Sequence, residues 1–232
     1  MIVYDFDQRS DYWYRARLGI PTASAMDRII TPDGKKSKGW EKYQEDLLSD
    51  IFTGDPMRLV KTEAMERGTE MEAQAVQAFE FLTGKDSIPI GFATTDDGSV
   101  GASCDRLVGE DETAEIKCPQ ANTHIHYMLW GDKVDPQYKA QIQTQLLVTG
   151  RKANSWVSYH DLMPTVIVPT ERDDRFIAAI QDHLYLFNKE LNDKKKLLIE
   201  MGAKVRLRPV PTKRDEPPIP LDTDPLKLRY AG

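Results

Sequence analysis

Three side chains have the types and spacing that phosphodiester hydrolysis asks for. They are Asp105 in Gly101-Ala102-Ser103-Cys104-Asp105, and Glu115 and Lys117 in Glu115-Ile116-Lys117. Side chains alternate faces along a β-strand, so Glu115 and Lys117 share a face while Ile116 points into the opposite layer. A polar turn at Gly109-Glu110-Asp111-Glu112 would fold residues 99–108 back on 113–117 as a hairpin and bring Asp105 beside that pair. Carboxylates are hard oxygen ligands for a divalent cation such as Mg²⁺, which activates water, and the ammonium supplies charge for the scissile phosphate. Taken alone, one such match reads better as an exposed ion pair on an edge strand.

Residues 62–83 add a third acid. Met65, Gly68, Ala75, Val76, Phe79 and Leu82 repeat at three- and four-residue spacing as the apolar stripe of a helix, and Glu72 falls in the middle of it. A carboxylate on a buried face must be paired, protonated or bound to metal, so Glu72 is either a metal ligand or the partner of a core-facing lysine or arginine. Further on, Asp135-Pro136 supplies an N-cap and first-turn proline for a helix that stops at Gly150. On that helix Tyr138 and Gln141 lie one turn apart and can face one cleft, with Gln143 as a further amide. By itself a Gln-rich helix is a solvated face.

The elements that must position these groups are mixed α and β. Ser10-Asp11-Tyr12-Trp13 precedes one apolar pattern, and Pro21-Thr22-Ala23-Ser24 opens a second short helix whose N-terminus would suit an anion. Trp40–Phe52 reads as a helix ending at Gly54, and residues 62–83 as one ending at Gly84. From Ile88, glycine-punctuated β-prone runs mark the sheet, continued by strands at Trp156–His160 and Thr165–Val168. Residues 173–201 form a long amphipathic helix with Phe176, Ile180, Leu184, Phe187 and Leu191 on one stripe. Six of the 14 prolines fall in the last thirty residues, which predicts a single domain over 1–202 and an extended Pro-rich C-terminal extension over 203–232.

The composition narrows the class. A chain of 232 residues that is 40% hydrophobic and 29% charged is globular, and no apolar run approaches the ~18 residues of a membrane span. Acids near the N-terminus where an export signal needs basic residues, and only two cysteines, lead us to expect a cytoplasmic protein with free thiols. A net charge of −6 disfavours nonspecific coating of DNA. Basic residues nevertheless cluster at Arg15 and Arg17, Lys35–Lys38, Lys194–Lys196 and Lys204–Arg214, and a nuclease carries its own acids as metal ligands. No Gly-x4-Gly-Lys-Ser/Thr loop is present, which excludes a P-loop motor. Cys104, Cys118, His124 and His126 lack zinc-site spacing, and Trp13, Tyr14, Trp130 and Trp156 are expected to be mostly core.

Five segments in order resemble the bacteriophage lambda exonuclease family of viral recombination nucleases, within the PD-(D/E)xK superfamily. They are Arg17-Leu18-Gly19-Ile20-Pro21-Thr22-Ala23-Ser24, Gly68-Thr69-Glu70-Met71-Glu72, Ser103-Cys104-Asp105, Glu115-Ile116-Lys117-Cys118-Pro119 and Tyr138-Lys139-Ala140-Gln141-Ile142-Gln143. Together they span most of residues 10–170, with Cys104 standing where the superfamily has proline. The resemblance implies an α/β, restriction-endonuclease-like core with a central mixed sheet flanked by helices. It also implies a Mg²⁺-dependent, processive 5′→3′ exonuclease that digests one strand of linear double-stranded DNA from a 5′-phosphorylated end. Such an enzyme releases 5′-mononucleotides and leaves a 3′ overhang for recombination by single-strand annealing.

By the same resemblance, Asp105, Glu115 and the Ile116 carbonyl would bind Mg²⁺, Glu72 would serve a second ion, and Mn²⁺ would substitute. Lys117 would orient or activate water, Gln141 would steady the site, and Arg17 with Ser24 would hold the 5′-phosphate; without the family pattern Arg17 reads as a surface ion pair. A homotrimeric ring, a phage single-strand annealing protein as partner and the cytoplasm of a bacterial host are implied as well. The alternatives are another nuclease of the superfamily, such as a repair endonuclease or junction resolvase, and a noncatalytic DNA-end-binding module, against which the intact acid set argues.

Overall fold

Strands in this chain are short where glycines punctuate it and long only after Arg151. The computed structural model describes residues 1–55, 63–208 and 210. In chain order these form β1 (Ile2–Tyr4), α1 (Asp11–Ala16), a 3-10 helix (Ala23–Arg28), α2 (Trp40–Thr53) and α3 (Glu63–Thr83). Then come β2 (Ser87–Ile88), β3 (Phe92–Thr94), β4 (Gly101–Ala102), β5 (Arg106–Val108), β6 (Glu112–Lys117) and α4 (Ala121–Trp130). A 3-10 turn (Pro136–Tyr138) leads into α5 (Lys139–Thr149), followed by β7 (Ala153–His160), β8 (Met163–Glu171) and α6 (Asp174–Glu200).

The central sheet has five strands in the order β2-β5-β6-β7-β8, antiparallel except for the parallel pair β6–β7. It is a mixed sheet flanked by helices, as expected. Alternation along β6 and β7 sorts the layers: Ala114, Ile116 and Val157 pack with Ala75 and Phe79 of α3. On the other face Trp156 packs with Ile142 and Leu146 of α5, Tyr127 of α4 and Ile177 of α6. The stripe on α6 is buried at all five expected positions, each worth roughly 1.5–3 kcal/mol of transfer free energy, and joins the largest core with Trp40, Tyr43 and Leu47 of α2. Asp173 caps α6 by accepting from Phe176 N at 2.9 Å. β8 is an outer strand, which is why it accommodates Pro164 and Pro169.

Several expectations need correction. The strand expected over 99–108 is two strands in different sheets: β4 pairs with β3, which pairs with β1, whereas β5 starts the hairpin to β6. Glycine is needed where β4 packs on β3, since a β-carbon on Gly101 would lie 2.1 Å from the Phe92 ring. The helix expected after Thr22 is a six-residue 3-10 turn without a side-chain cap, too short to present a helix dipole to an anion. On α3 the apolar stripe ends at Phe79; Leu82 is 57% exposed, and the side chain of Met65 lies outside the described residues. β7 and β8 run longer than expected, and α4 was not anticipated.

Of the proposed extension, residues 203–208 run without helix or strand, and the amides of Arg206 and Leu207 both donate to the Ile51 carbonyl near the end of α2, at 3.0 and 3.1 Å. Gly54, at φ 65°, is required there because a β-carbon would meet the Arg206 carbonyl at 2.5 Å. Pro209 and residues 211–232 lie outside the described residues. Among those that are described, no helix is long and apolar enough to cross a membrane.

Candidate active site

The break between β4 and β5 brings Asp105 to the end of β6. Where the β5–β6 ladder stops, the Asp105 carboxylate replaces the missing strand and accepts from Ile116 N at 2.6 Å. In an antiparallel pair the N–H and C=O of one residue face the same neighbour, so the Ile116 carbonyl lies along the edge that Asp105 occupies. Glu115 and Lys117 share the opposite face of β6 from Ile116, as expected, and the Lys117 ammonium donates to Glu115 Oε1 at 2.5 Å. Glu115 is only 3% exposed. Gln141 donates to its Oε1 at 2.6 Å and Gln145 to its Oε2 at 2.5 Å.

Gln145 is a site residue that the sequence reading missed. It is one turn beyond Gln141 on the same face of α5, so i, i+4 spacing carried the signal. Gln143 faces the other way and ties α5 to the β8–α6 connection through the Glu171 carbonyl and Asp173 N. Tyr138 lies beneath Lys117, with its ring centroid 5.3 Å from Nζ, and shares a hydroxyl hydrogen bond of 3.0 Å with Tyr127.

Electrostatics of this centre are those of excess negative charge. Burial and the neighbouring Glu115 carboxylate push Asp105 up to about 8, opposed by Lys117 and the Ile116 amide, with Glu72 adding to the upward shift. Burial disfavours the Lys117 ammonium, but Glu115 and Asp105 outweigh it and raise its pKa. Oxygen donors with one ammonium between two carboxylates match the chemistry of a hard divalent ion. The third expected acid is not gathered in: Glu72 is 31% exposed and pairs with Arg9, Nη2 to Oε2 at 2.6 Å. Among the described residues, no group of three or more His, Cys, Asp or Glu side chains converges closely enough to hold a metal ion as it stands.

Arg17 and Ser24 come together, with Arg17 Nη2 3.1 Å from Ser24 Oγ. Its Nη1 donates to Ser103 Oγ at 3.1 Å, and the same hydroxyl accepts from Trp13 Nε1 at 2.9 Å. The guanidinium stacks on Trp13, 4.2 Å from the ring centroid, so Trp13 serves as a platform. Burial lowers the Arg17 pKa to about 10. Among the described residues no carboxylate pairs with it, so a cation held only by hydroxyls and rings faces an unfilled demand for an anion. A groove of about 170 Å³ is lined by Ala23, Ser24, Asp27, Gln137, Tyr138 and Gln141, so Ser24 and Gln141 border one space. A larger cavity of about 620 Å³, bounded by Asp97, Tyr185 and Lys189, contains none of the expected site residues.

Zinc chemistry finds no support in the placement of the histidines and cysteines. His124 is wholly buried between Ser158 Oγ at 2.7 Å and the Pro164 carbonyl at 3.0 Å. Cys104 is core, and Cys118 is pushed up to about 11 by burial with Glu72 and Asp105, so both are thiols. Of the aromatics, Trp156 is core, whereas Tyr14 and Trp130 are exposed.

Residues 12–152 match the YqaJ-like viral recombinase domain. The chain is similar to the crystal structure of an alkaline exonuclease, LHK-Exo, from Laribacter hongkongensis, at 34% identity over 84% of this chain and 98% of that one, with a TM-score of 0.76. The same figures hold for that exonuclease in complex with dAMP. A phage related exonuclease from Haemophilus somnus 129PT shares the fold at 16% identity, covering 79% of this chain and 96% of that one, with a TM-score of 0.61. A search of curated proteins gave no match.

Proposed function

Because the chain belongs to the YqaJ-like viral recombinase family, we propose that it is a Mg²⁺-dependent exonuclease that digests one strand of linear double-stranded DNA from a 5′-phosphorylated end. The observation that carries this reading is the continuity of two phosphate-directed groups: Ser103 holds Arg17, and two residues later Asp105 meets the end of β6 beside Glu115 and Lys117. Asp105, Glu115 and the Ile116 carbonyl would hold one ion, with Glu72 serving a second and Mn²⁺ able to replace Mg²⁺. A bound ion there supplies a polarised water and neutralises charge on the phosphate.

The chain's own groups do the rest. Gln141 and Gln145 fix both oxygens of Glu115, so the carboxylate does not reorient when substrate arrives. Lys117 places an ammonium where an oxyanion develops. Arg17, with Ser24, grips a terminal phosphate, and each cut exposes the next phosphate for the same grip. Digestion therefore advances 5′→3′ one nucleotide at a time and leaves a 3′ overhang for single-strand annealing. A closed ring of three copies around the duplex would keep the enzyme on its track without ATP, and a phage annealing protein in the host cytoplasm would receive the exposed strand.

End-labelled linear duplex and closed circular DNA, each incubated with Mg²⁺ and with EDTA, test the reading. Mononucleotide release from the linear substrate alone, abolished by EDTA, is expected. Cutting of closed circles would make the protein an endonuclease, and binding of ends without cleavage would make it a noncatalytic module.

A further inference from the structure

Among the described residues, Arg9 is the one non-glycine with a left-handed backbone, at φ 68°. It holds the third position of a turn closed by Ser10 N on the Asp7 carbonyl at 3.1 Å, a place where a positive φ ordinarily selects glycine. The turn is fixed on both sides. Gln8 Nε2 donates to the carbonyls of Ile90 and Cys104, both at 2.9 Å, and Ser10 caps α1 by accepting from Trp13 N at 3.3 Å. The backbone of Arg9 is thereby tied to the residue just before Asp105, and its side chain crosses to α3 to reach Glu72.

Glu72 is near enough to Asp105 for its charge to raise that carboxyl, yet the three acids do not converge. One of the two Glu72 oxygens, Oε2, is held by a guanidinium 2.6 Å away. Resting on the metal-centre reading above, we propose that Arg9 is a resident counter-cation for Glu72 with which a divalent ion must compete. Arg9 then sets the cation concentration at which the Glu72 position fills. A dication drawn to this carboxylate meets the repulsion of a guanidinium already at hydrogen-bond distance, so the ion and Arg9 compete for Glu72. The pair is partly solvated, Arg9 being 46% exposed, so the competition is modest, about two- to fivefold in affinity.

Calcium binding by titration calorimetry on the whole chain, without DNA and without turnover, tests this. Arg9→Gly is the informative variant because glycine accepts the positive φ; an unshifted thermal melt verifies that the fold is kept. The expected result is a weaker calcium step tightened about two- to fivefold in Arg9→Gly, near wild type in Arg9→Lys, and unaffected by Arg9→Gly once Glu72→Gln is also present. Unchanged or weakened affinity in Arg9→Gly, with calcium binding in the wild type that Asp105→Asn removes, overturns the inference and leaves the metal centre standing. No calcium binding in the wild type overturns both.

Discussion

The Gln145 amide donates to Oε2 of Glu115 at 2.5 Å, while its own oxygen, fully buried, meets no donor. The orientation of that amide is therefore dictated by the carboxylate. A charge-assisted bond in a dry site is worth roughly 1.5–3 kcal/mol. Gln145→Leu, which keeps the volume, should lower kcat for DNA digestion about ten- to a hundredfold with KM little changed. Steady-state kinetics beside a thermal melt check this, and an unaltered kcat would remove Gln145 from the site.

Asp105 and Lys117 should separate function from stability in opposite ways. Asn at 105 can still accept from Ile116 N and relieves the like charge beside Glu115, so Asp105→Asn should lose cleavage by about a thousandfold or more with an equal or higher metal-free melting temperature. Lys117→Ala should also lose cleavage but melt several degrees lower, because it strips buried Glu115 of its cation. A large loss of stability in Asp105→Asn would mark that residue as structural instead.

Arg17 should make the enzyme sensitive to the chemistry of the DNA end. A 5′-hydroxyl duplex is expected to be digested about ten- to a hundredfold more slowly than a 5′-phosphorylated one, and Arg17→Ala should erase the difference by slowing the phosphorylated substrate. Equal rates on both ends in the wild type would place the phosphate pocket elsewhere.

His124 contributes an acid-sensitive share of the stability. Because Pro164 offers only a carbonyl, the ring donates from Nε2, and in its neutral form it accepts the Ser158 hydroxyl at Nδ1. Burial lowers its pKa, with the Pro164 carbonyl opposing and His160 adding to the lowering. The unfolded chain takes up this proton near pH 6.5, above the folded value, so the His124 contribution to stability is full above about 6.5 and falls as the solution is acidified through the folded pKa. Because the raised Asp105 carboxyl stabilises the fold on acidification over the same range, the comparison belongs in an Asp105→Asn background. Urea unfolding at about pH 7.5 and 5.5 should show the loss there, and adding His124→Gln should flatten it; an identical slope with and without His124 would acquit it.

The elements legible in the sequence were those whose periodicity matched a single burying face. α6 is the clearest, with Phe176 through Leu191 buried as spaced. α4 escaped notice because Ile125, Met128 and Leu129 are apolar on its exposed side, so no polar face marks the helix. The hairpin that joins Asp105 to Glu115 followed from alternation and turn chemistry, but the departure of β4 to pair with β3, with Gly101 against Phe92, is a tertiary matter. Glu72 was placed inside the stripe of α3, whereas its surroundings are set by Arg9, sixty-three positions earlier, whose φ no residue-type rule foretells.

Pro164 and Pro169 have a bearing on assembly. β8 bounds the central sheet, and at both positions the backbone lacks an N–H. Another copy laid alongside would find gaps in the row of donors, and β2, at the opposite margin, is only two residues long. Neither margin offers a neighbour a long unbroken row of donors. In the proposed ring, subunits would then meet through side chains on helices and loops, which would decouple the spacing of the ring from strand register and let surface substitution alter it without unravelling the core.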